Sequence, residues 1–130
     1  MEKVGLGYLL LGQSLGTLSG GESQRLILAS ELMKPVKAST LYLFEEPSTG
    51  LHFMDIEYLM KLFHELADQG NTLLVIEHDP DIIINADWII DLGPAGGDQG
   101  GYVVAQGSVD EIINNENSVT GRYLKLTRDA

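Results

Sequence analysis

The sequence predicts an α/β fold, a mainly parallel sheet with flanking helices. Two patterns in its 130 residues predict it. Short continuous apolar runs, bounded by turn residues, have the character of strands covered on both faces. Between them lie segments whose apolar residues recur at three- and four-residue steps, which gives a helix one buried face. Alternation of the two builds a parallel α/β layer.

Along the chain, residues 5–18 mix Gly5, Gly7, Gly12 and Gly16 with the apolar stretch Tyr8–Leu11 and read as irregular or weakly helical. A helix opens at Ser19-Gly20-Gly21-Glu22 and runs to about Met33. Ser19 and Glu22 fit a capping box, in which each side chain satisfies a backbone donor of the other's turn. Pro35 disfavours helical geometry at Lys34 and ends the helix. Thr40–Phe44 is the first buried strand, followed by the turn Glu45–Gly50. A helix from about Phe53 to Asp68 places Ile56, Leu59, Met60, Phe63, Leu66 and Ala67 on one face, and Gly70 suits the position just past its end.

Thr72–Ile76 is a second buried strand, ending at Glu77-His78-Asp79. Pro80 is placed for the first turn of a short helix. Trp88–Leu92 is a third strand, and a loop from Gly93 to Gly101 with five glycines and one proline leads into a fourth at Tyr102–Ala105. Ser108 begins a last short helix, and the tail from Asn114 is polar.

Composition excludes several classes of function. The net charge is −11, and the eight Lys and Arg residues are dispersed. DNA affinity rests mainly on such cations neutralising phosphates, so no direct grip on DNA is expected of this segment. Cysteine is absent, and His52, His64 and His78 lie too far apart for a zinc-binding helix motif, so no zinc is expected. No apolar run approaches a membrane span and Met1-Glu2-Lys3 leads into no secretory signal, so the expected location is cytoplasmic, with no membrane partner.

In open parallel sheets, ligands sit beyond the carboxyl ends of the strands. Glu45, Glu46 and His78 all fall there. Of two such acids, one can hold Mg²⁺ through water while the other orients or deprotonates an attacking water. A histidine can donate a hydrogen bond to a γ-phosphate. The glycines of Leu18-Ser19-Gly20-Gly21-Glu22 let backbone N–H groups approach a phosphate at a positive helix end. Each motif taken singly is met more often in a bland role: a capped helix, an acidic turn in solvent, an ordinary loop histidine.

Their order is more specific. Leu18–Glu22 with Gln24-Arg25 resembles the signature motif of ABC ATPases, and Leu41-Tyr42-Leu43-Phe44-Glu45-Glu46-Pro47 resembles their Walker B strand with its catalytic glutamate. Ser48–His52 resembles the D-loop, and His78 falls where the switch histidine belongs. Val4–Tyr8, Leu11-Gly12-Gln13, Ser48–His52, Ala86–Pro94, Gly96–Gly101 and Thr120–Leu124 narrow the likeness to UvrA, the damage-recognition subunit of the bacterial excision nuclease. The resemblance covers almost the whole chain and points to the end of the second nucleotide-binding domain, within a P-loop NTPase-type sheet. Residues 1–35 would be the signature region, 36–113 the core from Walker B through the switch histidine and following strands, and 114–130 a tail.

That resemblance implies ATP and Mg²⁺ as cofactors of the intact protein and a role in nucleotide excision repair within the SOS response. Ser19, Gly20, Gly21, Glu22 and Gln24 would serve a nucleotide held by the opposite ABC domain or a second UvrA protomer, with Ser19 and Gly21 at its γ-phosphate. Glu45 (Mg²⁺ through water), Glu46 and His78 (catalysis) would serve the nucleotide of their own domain. A UvrB-type subunit and damaged DNA would be partners only through the intact protein. Two departures from the family pattern stand out. Gly-Lys occurs nowhere, so the phosphate-binding loop is absent, and Gln13 is not the Q-loop glutamine, which lies upstream of the signature. The Walker B metal position, normally Asp, is Glu45, and the extra methylene is expected to weaken Mg²⁺ binding. An excised or separately encoded piece, inactive alone and able to homodimerise through sheet edges, is therefore expected. The alternatives are a non-catalytic interaction module and a UvrA-like paralogue acting in drug resistance.

Overall fold

Ser19 and Glu22 close the first helix as a reciprocal cap: the Ser19 N–H donates to Glu22 Oε2 at 2.7 Å and the Glu22 N–H donates to Ser19 Oγ at 3.2 Å. The structure, a computed structural model, describes residues 12–32, 39–94 and 100–128. The sequence expectations for residues 5–11, for the helix end at Lys34 and Pro35, and for 95–99 of the glycine loop lie outside them. The chain divides into two compact units, Met1–Glu77 and His78–Ala130.

In the first unit a short 3₁₀ turn, Leu15–Thr17, precedes helix α1 (Gly20–Leu32). Strand β1 (Leu41–Glu45), helix α2 (Phe53–Asp68) and strand β2 (Thr72–Ile76) then form a β–α–β unit. The strands pair in parallel without offset, from Leu41 against Thr72 to Glu45 against Ile76. Asn71 fixes the start of that register. Its side chain accepts the Thr40 N–H at 3.0 Å and donates to the Leu66 carbonyl at 2.8 Å, joining the end of α2 to the entry of β1. Gly70, at φ +86°, supplies the left-handed residue just past α2.

Leu28, Ile56, Leu59, Leu62, Phe63 and Leu66 make the buried core of this unit. The Phe44 ring lies 4.9 Å from that of Phe63, which seats the inner face of β1 on α2. Two expectations need correction. Ala67 is exposed and Leu62 is buried, because the buried stripe runs through 59, 62, 63 and 66 and leaves 67 on its rim. The strands are not covered on both faces: Leu41, Leu43, Leu74 and Ile76 are each at least half exposed. One helix layer packs on the pair, and the opposite face carries the alternate residues of both strands into solvent among the described residues.

In the second unit, helix α3 (Pro80–Ile83) begins at Asp79, whose carboxylate accepts the Asp81 N–H at 2.9 Å. Strands β3 (Ile89–Gly93) and β4 (Tyr102–Gly107) follow, then helices α4 (Val109–Ile113) and α5 (Val119–Arg128). β3 and β4 are antiparallel, with a bulge at Asp91/Leu92. Their connection is shorter than the dozen or so residues a parallel crossover takes, so the two strands form a hairpin-like pair, a sheet separate from the parallel one. Ile89, Ala105, Ile112, Ile113 and Leu124 form the core, with Ile83, Ile84, Ala86 and Val109 packed around it.

Helix α5 lies in what composition marks as a polar tail. It is held by one carboxylate: Asp91 accepts from Ser118 Oγ at 2.6 Å and from Thr120 Oγ1 at 2.8 Å, while Ser118 Oγ accepts the Gly121 N–H at 2.8 Å. A Cβ at Gly121 would stand 2.1 Å from the Ile112 carbonyl oxygen, so only glycine lets α5 approach α4 this closely. No helix among the described residues is long and apolar enough to cross a membrane.

The cap of α4 makes a pH-dependent contribution. Glu111 Oε2 accepts the Ser108 N–H at 2.8 Å and the Ser108 hydroxyl at 2.9 Å, and these bonds, the backbone one first, hold the Glu111 carboxyl below its ordinary value. A carboxyl that titrates lower in the folded state lends stability that is complete above its unfolded pKa and is lost as pH falls through the folded one. Urea denaturation of Glu111→Gln from pH 7 to well below about 4 should therefore show less acid-induced loss than the parent. Identical loss in both would remove Glu111 from the acid transition.

Candidate functional site

Parallel pairing without offset brings the carboxyl ends of β1 and β2 side by side, and the acidic turn is built on that edge. Glu45 is the last residue of β1, opposite Ile76. Glu46 leaves the ladder: its N–H still reaches the Ile76 carbonyl at 2.8 Å, but its φ is +43°. For a residue with a Cβ this left-handed conformation costs roughly 1–2 kcal/mol. It is held by a tight turn, in which the Thr49 N–H returns to the Glu46 carbonyl at 3.0 Å and the Leu51 N–H to the Ser48 carbonyl at 2.9 Å. Pro47, without an N–H to satisfy, is fully buried beneath it. Both acids are exposed, and Thr49 Oγ1 sits 3.4 Å from Glu46 Oε2.

Glu77, the residue just past β2, joins this turn. Its Oε1 accepts the Ser48 N–H at 2.8 Å. The motif pattern points to its neighbour His78, while the place of Glu77 at the same strand end is the signal that marks it. His78 follows directly, two residues beyond the partner of Glu45 along the chain, and is the first residue of the second unit. Its side chain is exposed.

The glycine-led helix end lies at the start of α1. Gly20, Gly21 and Gln24 are in its first turns, and Glu22 closes the cap with Ser19. Because Ser19 Oγ accepts in the cap, its own O–H can still be donated to a ligand. Glu22 is an acceptor in that cap and supports the first turn. One residue beyond Gln24, Arg25 is almost wholly buried and ion-paired through Nη1 to Asp55 in the first turn of α2. The pair ties the helix bearing the glycines to the helix that follows the acidic turn; its Asp55 end is partly exposed, but removing Asp55 would leave the buried Arg25 cation unpaired. Among the described residues, Arg25 Nε is buried without a hydrogen-bond partner.

The described residues contain no cluster of three metal-ligating side chains. Mg²⁺ needs no such cluster. It binds through one or two carboxylates, waters and substrate phosphates, and the exposed carboxylate of Glu45 at the strand end fits that mode.

A parallel pair that delivers two carboxylates to its carboxyl edge, together with a glycine-led helix end, is the arrangement expected from the likeness to ABC ATPases. No protein-family model matches the chain. It is 53% identical over 125 residues to UvrABC system protein A of Mesorhizobium japonicum, covering 96% of this chain and 13% of that protein. Against UvrABC system protein A of Aquifex aeolicus it is 55% identical over 125 residues, 96% of this chain and 14% of that protein. The crystal structure of UvrA2 from Deinococcus radiodurans superposes with a TM-score of 0.90 at 45% identity, over 96% of this chain and 15% of that one. The chain belongs to the UvrA family, and it spans about 13% of the length of the curated relatives it matches.

The left-handed Glu46 yields a test that is independent of ligand. Glu46→Gly and Glu46→Ala both remove the carboxylate, but only glycine relieves the φ of +43°. Glycine should be the more stable variant by about 1 kcal/mol in urea denaturation. Alanine equal to or more stable than glycine would mean that the turn is not strained.

Proposed function

We propose that this chain supplies two part-sites for ATP within a longer protein that recognises DNA damage in nucleotide excision repair. The observation that carries the proposal is the edge where β1 and β2 end together, with Glu45 closing β1 and Glu46 in the turn just past it; along the chain, His78 follows β2 by two residues. The similarity to UvrABC system protein A over 96% of the chain supports the same reading.

In this account Glu46 accepts a proton from, or orients, the water that attacks the γ-phosphate, and His78 donates a hydrogen bond to that phosphate. Glu45 holds Mg²⁺ through water. The metal, when bound, neutralises charge on the β- and γ-phosphates. The left-handed turn fixes the direction in which the Glu46 side chain leaves the backbone before substrate arrives, so less reorganisation is left for the reaction itself. At the other part-site, the N–H groups of Gly20 and Gly21 and the Ser19 hydroxyl face the γ-phosphate of a nucleotide carried by an opposite ABC domain or a second protomer. The Arg25–Asp55 pair links the two part-sites mechanically. The exposed row Leu41, Leu43, Leu74 and Ile76 is the face on which further chain would pack, or on which isolated copies would associate. A UvrB-type subunit and damaged DNA are engaged by the longer protein, not by this acidic segment.

In the intact protein, Glu46→Gln should leave ATP affinity within about twofold while lowering kcat by about two to four orders of magnitude. The isolated chain should release no phosphate above background. Undiminished turnover in the variant would remove Glu46 from the mechanism, and Glu46-dependent turnover by the isolated chain would show the part-site account to be wrong.

A further inference from the structure

The turn carrying Glu46 hangs from the end of β2 at two points. One is the backbone bond from the Glu46 N–H to the Ile76 carbonyl, at 2.8 Å. The other is a side chain: Glu77 Oε1 accepts the Ser48 N–H, also at 2.8 Å. A carboxylate accepting a backbone N–H makes a charge-assisted bond, stronger than a neutral one. Between the two anchors lies Pro47, whose φ is fixed and which has no N–H to contribute. The left-handed Glu46 is thus clamped on its amino side by a strand bond and on its carboxyl side by Glu77. A turn that stores strain keeps it only where the surroundings over-determine the backbone.

We propose that Glu77 is a positioning residue: by holding the Ser48 N–H it fixes the turn that aims the Glu46 carboxylate. The inference rests on the role assigned to Glu46 under the proposed function. Glu77 acts on Glu46 through the backbone and has no part in the chemistry. It is also the residue before His78, so the clamp joins the acidic turn to the segment that delivers the histidine.

The test is a double-mutant cycle in the intact ATPase. Glu77→Ala should lower kcat by about ten- to a hundredfold, the scale set by a small misplacement of a reacting group, with the KM for ATP within twofold. Glu77→Gln, whose amide oxygen still accepts the Ser48 N–H, should recover most of that loss. With Glu46→Gln already in place, Glu77→Ala should have no further effect on kcat, since residues acting as a unit are not additive. Amide exchange at Ser48 should be faster in Glu77→Ala than in Glu77→Gln. Additive losses in the cycle, or a kcat unchanged by Glu77→Ala while Glu46→Gln abolishes turnover, would overturn the inference. If Glu46→Gln itself leaves kcat intact, the reading of Glu46 fails, and Ser48 exchange still decides whether the clamp exists. Equal Ser48 exchange in parent and Glu77→Ala would show that it does not.

Discussion

The register between β1 and β2 is the constraint on which the rest depends. Because side chains alternate along a strand, a slip of one residue would turn Phe44 away from Phe63 and send Leu43 toward α2. The same slip would carry Glu46 away from the Ile76 carbonyl and Ser48 from Glu77. Packing of the aromatic face and geometry of the acidic turn are therefore two consequences of one alignment. Asn71 sets it at the strand entrances, and the turn records it at the exits.

The second unit applies the same economy with a different device. Asp91 of β3 sits where the β3–β4 register shifts, and its two carboxylate oxygens take the hydroxyls of Ser118 and Thr120. Ser118, fully buried, passes the connection to the Gly121 amide, so the first turn of α5 is tied to the sheet by a satisfied polar network. Leu124 is then delivered into the core beside Ile112 and Ile113. A polar sequence gains a fixed helix because its few apolar positions are placed by hydrogen bonds.

Much of this was legible in the residues. The Ser19–Glu22 cap is a local signal, and so are the bounds of α2 and β2 and, to within one residue, of β1, which runs Leu41–Glu45 where the pattern gave Thr40–Phe44; each depends only on neighbours within a few positions. The order of the segments that resemble the signature, Walker B and switch motifs pointed to ABC ATPases, and Val4–Tyr8, Ala86–Pro94, Gly96–Gly101 and Thr120–Leu124 narrowed the likeness to the UvrA family. What was not legible depends on distant partners. The exposure of Leu41, Leu43, Leu74 and Ile76 cannot be read from a continuous apolar run, which looks the same whether one face or two are covered. Helix α5 was hidden because its anchor, Asp91, lies in another element. Glu77 was missed for a related reason: its acceptor role is defined by Ser48, across the sheet edge, while the histidine beside it carries the recognisable motif. The burial of Arg25 likewise follows from Asp55, thirty residues away in sequence.

The central claim is that the residues ending β1 and following β2 act on one triphosphate. A crystal structure of the intact protein with a slowly hydrolysed ATP analogue and Mg²⁺ tests it most directly. The account predicts the Glu46 carboxylate within hydrogen-bonding reach of a water in line with the γ-phosphate, and the His78 ring bonded to that same phosphate. An imidazole turned away from the nucleotide that Glu46 faces, or a Glu46 carboxylate directed into bulk solvent, would contradict it.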